Sequence, residues 1–525
     1  MHKPINPLDL FLHDAAHRFG PRDVARWVLS GDRLTYDELA QKVRACATGL
    51  ARLGVGTGTH VAVMLPSCPA GTITWFALAR LGAVLTPLNP AYVSSELAFA
   101  LSNADAEALI IDASLAHHLR SDDVRAANLP LIITYGEKTA PHTSWQDLLT
   151  HGEDAAPQPM QGSGLFSIQY TSGTTGRPKG CMLTQAYWDH FREGARDEFG
   201  AHEISSTLIW SPFFYMDAQW QLLLSMHAGA TAHIVEKMSL SKLPEWLDQF
   251  QVNYFSFPEP FIQSLSDTQT YDWPLKFVNT FAWRPHNIEK LRRIFGPMGR
   301  DAFGMTEVGG VTASPTDLDV SKRAGSCGTP LSGCQIKIVD SDGNEVPAGQ
   351  SGELLVMTPK MLLGYYNNPK VTKESYAGTW FRTGDLASMD QDGFLYIKGR
   401  LKEMIKRSGE NIAAREVEAA ILQHPAVQEV AVVGVADSLR KEEVKAFIIL
   451  NAGSAGTEEL AKSIATHCEE HLAAFKRPRY IEFTPDFPRT ATRKVAKHQL
   501  AELAPVQGKA AWDQHAWTSK STTTT

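Results

Sequence analysis

The chain has 525 residues, of which 43% are apolar and 20% charged, with a formal net charge of −7. That length exceeds one typical hydrophobic core and implies several subdomains, and the composition is that of a globular protein. The acidic balance argues against nucleic acid as the main partner. No run of about 18 apolar residues occurs, so no membrane span is read. The six cysteines show no C-x-x-C pairing, which excludes a zinc frame or a disulfide scaffold and fits a reducing compartment. The start, Met1–Asn6, lacks an apolar signal core, and a cytoplasmic location is expected.

Residues 1–33 read as a lead-in helix followed by a short strand pair. A helix should start at Thr35, with Thr35 and Glu38 as a capping box, and Leu39, Val43, Cys46, Leu50 and Leu53 recur at helical spacing. His60–Leu65 is a continuous apolar run, as in a parallel strand buried on both faces. A small-residue helix over 70–81, a strand over 83–87, a helix over 94–102 and a strand over 108–111 continue the alternation, which implies stacked βαβ units. A strand over 165–170 precedes a glycine-rich loop, and 183–195 reads as the helix after it. Strands at 207–210, 229–235 and 253–257 and a helix at 216–226 follow. From Gln335 to Ile397, strands alternate with Asp342-Gly343 and Asp392-Gly393 turns, the signature of an antiparallel region. After Arg400–Lys402 the helix–strand alternation returns. The expected division is 1–400, 401–505 and a disordered polar tail, 506–525.

The chemistry gathers first in Tyr170-Thr-Ser-Gly-Thr-Thr-Gly-Arg-Pro-Lys-Gly180. Glycines let the backbone approach a ligand, exposed N–H groups and hydroxyls offer donors to an anion, and Arg177 and Lys179 add positive charge. A flexible surface loop is the plainer reading. The Walker phosphate-loop pattern is excluded, because Arg177-Pro178 separates Gly176 from Lys179. Four further segments share the chain with it: Phe303-Gly-Met-Thr-Glu307, Trp380-Phe-Arg-Thr-Gly-Asp385, Gly399–Asn411 and Pro488–Val495.

Together these five segments closely resemble, in order, the motifs of the adenylate-forming superfamily: acyl-CoA synthetases, adenylation domains and luciferases. The resemblance runs from about residue 35 to 495. It implies an α/β fold: a large N-terminal domain of stacked α/β subdomains with a β-rich subdomain, and a small mobile C-terminal α+β domain. It implies that ATP is held by Thr171, Ser172, Gly173, Thr174, Thr175, Gly176 and Lys179, by Phe303 and Gly304 beside adenine, and by Asp385 and Arg400 at the ribose. Thr306 would sit near phosphate and Glu307 would hold Mg²⁺, a hard cation that favours oxygen ligands. Lys402 matches the hinge, Lys406 and Gly409 the loop beside the thiol tunnel, and Lys494 the lysine that orients the carboxylate during adenylation. The family usually has glycine where this chain has Arg493.

The implied reaction joins a carboxylic acid to AMP and passes the acyl group to a thiol. No carrier-protein module is visible, so CoA is the preferred acceptor, with a stand-alone enzyme loading a separate carrier protein as the alternative. Lys406-Arg407 and Lys476–Arg479 could meet CoA phosphates or form a solvated basic surface. The acyl pocket departs from the common pattern. Tyr215 replaces a frequent histidine, and Asp217-x-Gln219 is similar to carnitine/crotonobetaine-type CoA ligases. Trp210, Tyr215, Asp217, Trp220, Trp283 and Arg284 are the candidate pocket residues. Asp217 with the tryptophans would suit a cationic acid, and Arg284 the second carboxylate of a diacid. A plain small acid with the tryptophans in the core also fits. The assembly leaves room for a homodimer.

Overall fold

The computed structural model describes residues 6–137, 141–150, 152, 164–171, 178–198, 203–257, 265–266, 271–280, 288–295, 299–315, 318, 323, 325–408, 410–437, 439–489, 495–502 and 511–513. Among these residues, two seven-stranded sheets share one design: parallel strands ended by one antiparallel edge pair. One sheet runs Thr143–Ser144, Leu131–Tyr135, Ala108–Asp112, His60–Met64, Val84–Pro87, Leu165–Thr171, Lys179–Thr184. The other runs Gly299–Arg300, Phe277–Thr280, Tyr254–Phe257, Ser206–Ile209, Thr231–Ile234, Asp23–Trp27, Arg33–Thr35.

Both sheets are buried because helices cover their faces. The capping box at Thr35 is present: Glu38 N donates to Thr35 Oγ1 at 3.1 Å, and Thr35 N donates to Glu38 Oε2 at 2.8 Å. The helix Tyr36–Arg52 buries Leu39, Val43, Cys46 and Leu50, while Leu53, read as part of the same stripe, lies past its end and is exposed. Pro69 opens the helix Pro69–Leu81, whose Trp75 meets Phe76, Phe166 and Trp188 edge-on at 4.8, 5.2 and 5.8 Å. One hydrophobic cluster joins these helices to residues of both sheets and to Ile338, Leu354, Val356, Phe381 and Leu395.

Those last residues belong to a five-stranded antiparallel sheet of Gln335–Val339, Gly352–Met357, Trp380–Met389, Tyr376–Ala377 and Leu395–Arg400. A three-stranded sheet, Ala302–Met305, Gly309–Ala313 and Thr329–Pro330, carries the Phe303–Glu307 segment. After Arg400 a single 3₁₀ turn, Leu401–Glu403, leads into a six-stranded sheet built from residues 404–513 with its own core around Ile405, Val417, Val432, Ile448 and Ile464.

Two readings need correction. The region after the glycine-rich loop is first a strand, Lys179–Thr184, paired antiparallel with Leu165–Thr171. The helix begins only at Gln185, where the Thr184 hydroxyl accepts the Tyr187 N–H at 3.0 Å. The tail read as disordered contributes a strand, Ala511–Asp513, paired with Tyr480–Glu482 and tied by Arg479 Nε to Asp513 Oδ1 at 3.3 Å. No described helix is long and apolar enough to cross a membrane.

Candidate active site

The hairpin of Leu165–Thr171 and Lys179–Thr184 brings Thr171 opposite Lys179. Ser172, Gly173, Thr174, Thr175 and Gly176 lie outside the described residues. The segment 361–366 adds to the other side of this hairpin: Leu363 N donates to Met182 O, Met182 N to Gly364 O, and Tyr366 N to Gly180 O, at 2.8–2.9 Å. That ladder delivers Tyr365. Lys179 Nζ sits 4.6 Å from the centre of its ring, and its hydroxyl donates to Glu307 Oε1 at 3.0 Å. Burial, then the neighbouring Glu307 charge, push the Tyr365 phenol well above its ordinary range, so it stays a donor. The candidate phosphate-binding lysine and the candidate metal carboxylate are thereby joined through one tyrosine.

Glu307 is buried, and its backbone carbonyl accepts from Leu362 N at 2.8 Å. The Thr306 carbonyl accepts from the Tyr187 hydroxyl at 3.0 Å, and its own hydroxyl faces Met216 Sδ at 3.2 Å. Phe303 is half-buried and pairs with Thr312, while Gly304 is exposed.

Asp385 pairs in register with Arg400 on the adjoining strand. Arg400 Nε lies 3.1 Å from Asp385 Oδ1, and the guanidinium also donates to Thr383 O at 2.8 Å. Asp385 is 4% exposed, and its Oδ2 has no hydrogen-bond partner. Burial raises its carboxyl from 3.8 to about 6, against the pull of Arg400, Arg415 and Thr383. A buried carboxylate oxygen left open is the acceptor that a nucleoside diol would fill.

Lys402 and Lys406 are exposed, on the 3₁₀ turn and on the strand Met404–Arg407 respectively. Gly409 and Lys494 lie outside the described residues. Of the cations read as either CoA-phosphate contacts or a solvated basic surface, most already hold carboxylate partners. Arg407 is buried on Glu443 at 2.6 Å, Lys476 holds Glu416 at 2.5 Å, and Arg479 holds Asp437 and Asp513 at 3.1 and 3.3 Å.

Of the pocket candidates, Tyr215, Asp217 and Trp220 come together at the start of the helix Met216–Ala228, beside Thr306. Asp217 is exposed and accepts from Trp220 Nε1 at 3.3 Å. Trp220 is buried and stacks on Phe191, with centroids 6.3 Å apart. Burial, then Asp217, push the Tyr215 phenol up to about 12. Trp210 is separate: it packs on the cluster around Trp246 and Phe255 and donates to Ser256 O at 2.6 Å. Trp283 and Arg284 lie outside the described residues. Tyr365, Tyr187, Phe191 and Arg415 were missed. Only Gly364-Tyr365, a glycine–aromatic pair, offered any local signal.

The comparisons agree with this architecture. The AMP-binding enzyme model matches residues 12–366, and the AMP-binding enzyme C-terminal domain model matches 416–494. A relative from Humulus lupulus, "Probable CoA ligase CCL9", is 31% identical over 94% of this chain and 96% of its own length. The long-chain-fatty-acid–CoA ligase of Salmonella typhimurium is 29% identical over 95% of this chain and 94% of its own. Among solved structures, the ATP-bound RpMatB-BxBclM chimera B1 aligns with a TM-score of 0.87 at 25% identity, covering 95% of this chain and 99% of that one. With both family models spanning the two parts of the fold, the chain belongs to the AMP-binding enzymes of the adenylate-forming superfamily.

Proposed function

We propose that the protein is an ATP-dependent, AMP-forming acyl-CoA synthetase. The observation that carries the reading is the buried Asp385 carboxylate with one oxygen open, near enough to Glu307 to feel its charge, while Tyr365 links Glu307 to Lys179. The full-length similarity to CoA ligases supports a thiol acceptor over a carrier protein.

A carboxylate is a poor acyl donor because its leaving group would be oxide. In the first step its oxygen attacks the α-phosphorus of ATP, the bond to the β-phosphate bridge breaks, and pyrophosphate leaves. Residues 171–179 hold the β- and γ-phosphates, Asp385 and Arg400 fix the ribose, and Lys494 places the attacking oxygen. Positioning and charge neutralisation are most of what such a transfer requires. In the second step the CoA sulfur attacks the acyl-adenylate carbonyl, AMP departs with the bonding pair, and the thiol proton is released.

Among the described residues no cluster of three metal-ligating side chains occurs. The donor set still fits Mg²⁺, because Glu307 is a buried oxygen ligand and the nucleotide phosphates and water supply the rest. Bound there, the ion neutralises phosphate charge. We place the domain boundary at 400–401, with a small domain of 401–505 that turns about Lys402 between the steps. That motion withdraws Lys494 and brings Lys406 and Gly409 to the site. The six free cysteines suit a cytoplasmic setting.

The test is pyrophosphate release with Mg-ATP and CoA across a carboxylic acid panel, using Lys494→Ala as control. Activity that needs CoA, forms AMP and collapses in the variant supports the reading. Pyrophosphate exchange with no CoA-dependent AMP release would replace it with carrier-protein loading.

A further inference from the structure

A lysine whose stem is packed away while its ammonium is bonded to no acceptor holds a charge that a ligand can complete. Lys360 is 3% exposed. Its backbone is stitched beside the active-site strand: Lys360 N donates to Thr358 Oγ1 at 2.9 Å, Thr358 Oγ1 to Val308 O at 2.9 Å, and Leu362 N to Glu307 O at 2.8 Å. The side chain then runs over Gly309. A Cβ at 309 would stand 2.9 Å from Lys360 Cβ and 3.1 Å from Phe191 Cε2, so the missing side chain is what makes room for the lysine stem. The ammonium lies 5.5 Å from the centre of the Phe191 ring. Phe191 stacks on Trp220, and Trp220 shares its helix with Met216, which touches the Thr306 hydroxyl. An aromatic wall thus leads from Thr306 to a cation. Among the described residues, that cation makes no hydrogen bond or ion pair, and its nitrogen is not sealed off from a ligand. The nearby carboxylate on the wall, Asp217, accepts from the Trp220 indole instead.

We propose that Lys360 is the counter-charge for a second carboxylate at the far end of the acyl substrate, so that the acids activated here are dicarboxylic. The inference rests on the acyl-CoA synthetase reading for what happens at the near end. One carboxylate reacts beside Thr306 and Glu307. The other completes a desolvated ion pair with Lys360, over the Phe191 face. A monocarboxylic acid of equal length would set a methyl group against the unpaired ammonium. A site built around a buried polar group rejects such an analogue far more strongly than an apolar pocket rejects a missing methylene.

The experiment uses the full chain with AMP filling the nucleotide site. Succinate, glutarate and adipate are titrated calorimetrically against butanoate, pentanoate and hexanoate. The wild type should bind the diacid of one length in preference to its monoacid. Lys360→Met should weaken that diacid by about thirtyfold or more, the effect of losing one partner of a buried charge pair. It should also improve the monoacid, while Lys360→Arg keeps the diacid preference. Equal binding of both classes by the wild type, or equal weakening of both by Lys360→Met and Lys360→Gln, would overturn the proposal. Pyrophosphate release separates the two readings: diacids bound through Lys360 with no release would keep Lys360 as the carboxylate's counter-charge and sink the synthetase, and release with monoacids alone would keep the synthetase and sink the diacid proposal.

Discussion

Replacing Asp385 by Asn keeps the shape of the side chain and removes its charge, and two quantities should move in opposite directions. The carboxyl is 4% exposed and is raised from 3.8 to about 6, with burial as the largest cause. A difference of roughly two units corresponds to about 3 kcal/mol held against the folded state when the group is ionised. The folded protein takes up this proton near pH 6 and the unfolded chain only near 3.8. Asp385 therefore destabilises the fold fully above pH 6, and the penalty is relieved as pH falls from about 6 to about 4. Asp385→Asn removes this penalty, a net figure in which the 3.1 Å pair with Arg400 is already counted. In urea titrations at pH 8 the variant should match or exceed the wild type. The difference should shift toward the wild type by about 1.4 kcal/mol per pH unit below 6. A gap that stays constant from pH 8 to pH 4.5 would refute the assignment.

Nucleotide binding should move the other way. An amide accepts on one oxygen only, so one ribose hydroxyl loses a charge-assisted acceptor that contributes about 1.5–3 kcal/mol. Calorimetric titration with AMP at pH 8 should show affinity lower by about tenfold to a hundredfold. In the wild type, adenosine, which has no phosphate to titrate in this range, should bind more weakly as pH drops through 6, because the protonated carboxyl offers one acceptor fewer. An unchanged AMP affinity in a variant with the expected stability profile would mean that Oδ2 faces something other than ribose.

The sequence was informative where chemistry is local and silent where it depends on pairing. Thr35 and Glu38 sit one helical turn apart, and both halves of their capping box form. Asp385 and Arg400 were legible as single residues, and the strand register that opposes them supplies the ion pair. Tyr365 was not legible. Its hydroxyl reaches Glu307 58 residues away in the chain, only because 361–366 pairs beside the 179–184 strand. That strand was itself misread, since a six-residue edge strand running straight into a helix offers too few alternations to separate the two periods. The basic runs at 407 and 476–479 invited a phosphate reading from charge alone. Their partners, Glu443, Glu416, Asp437 and Asp513, lie elsewhere in the sequence, and the fold decides which cations remain open. Lys360 shows the converse: nothing in its local sequence marks it out, and only its seat over Gly309 packs it away.

Two further substitutions test the frame and the site. Gly328 adopts φ of +86° with the position of a Cβ 2.0 Å from the Ala313 carbonyl, so Gly328→Ala should destabilise by more than about 3 kcal/mol; a urea midpoint within error of wild type would contradict the packing of 329–330 on 309–313. Tyr365→Phe removes the donor that fixes Glu307 Oε1 at 3.0 Å and keeps the ring beneath Lys179. The carboxylate then has one acceptor oxygen unanchored in a buried place, a loss of about 1–3 kcal/mol that falls on the orientation of Glu307 rather than on the core. Since Lys179 keeps its ring contact, the ATP requirement should change little. The Mg²⁺ concentration for half-maximal pyrophosphate release should rise and the maximal rate fall, by about tenfold for each 1.4 kcal/mol placed on the transition state. If Tyr365 served only to pack, the melting temperature would fall while the Mg²⁺ dependence stayed where it was. If it orients the carboxylate, the Mg²⁺ dependence shifts with the fold intact, and Glu307 is confirmed as the ligand through a residue that never touches the metal.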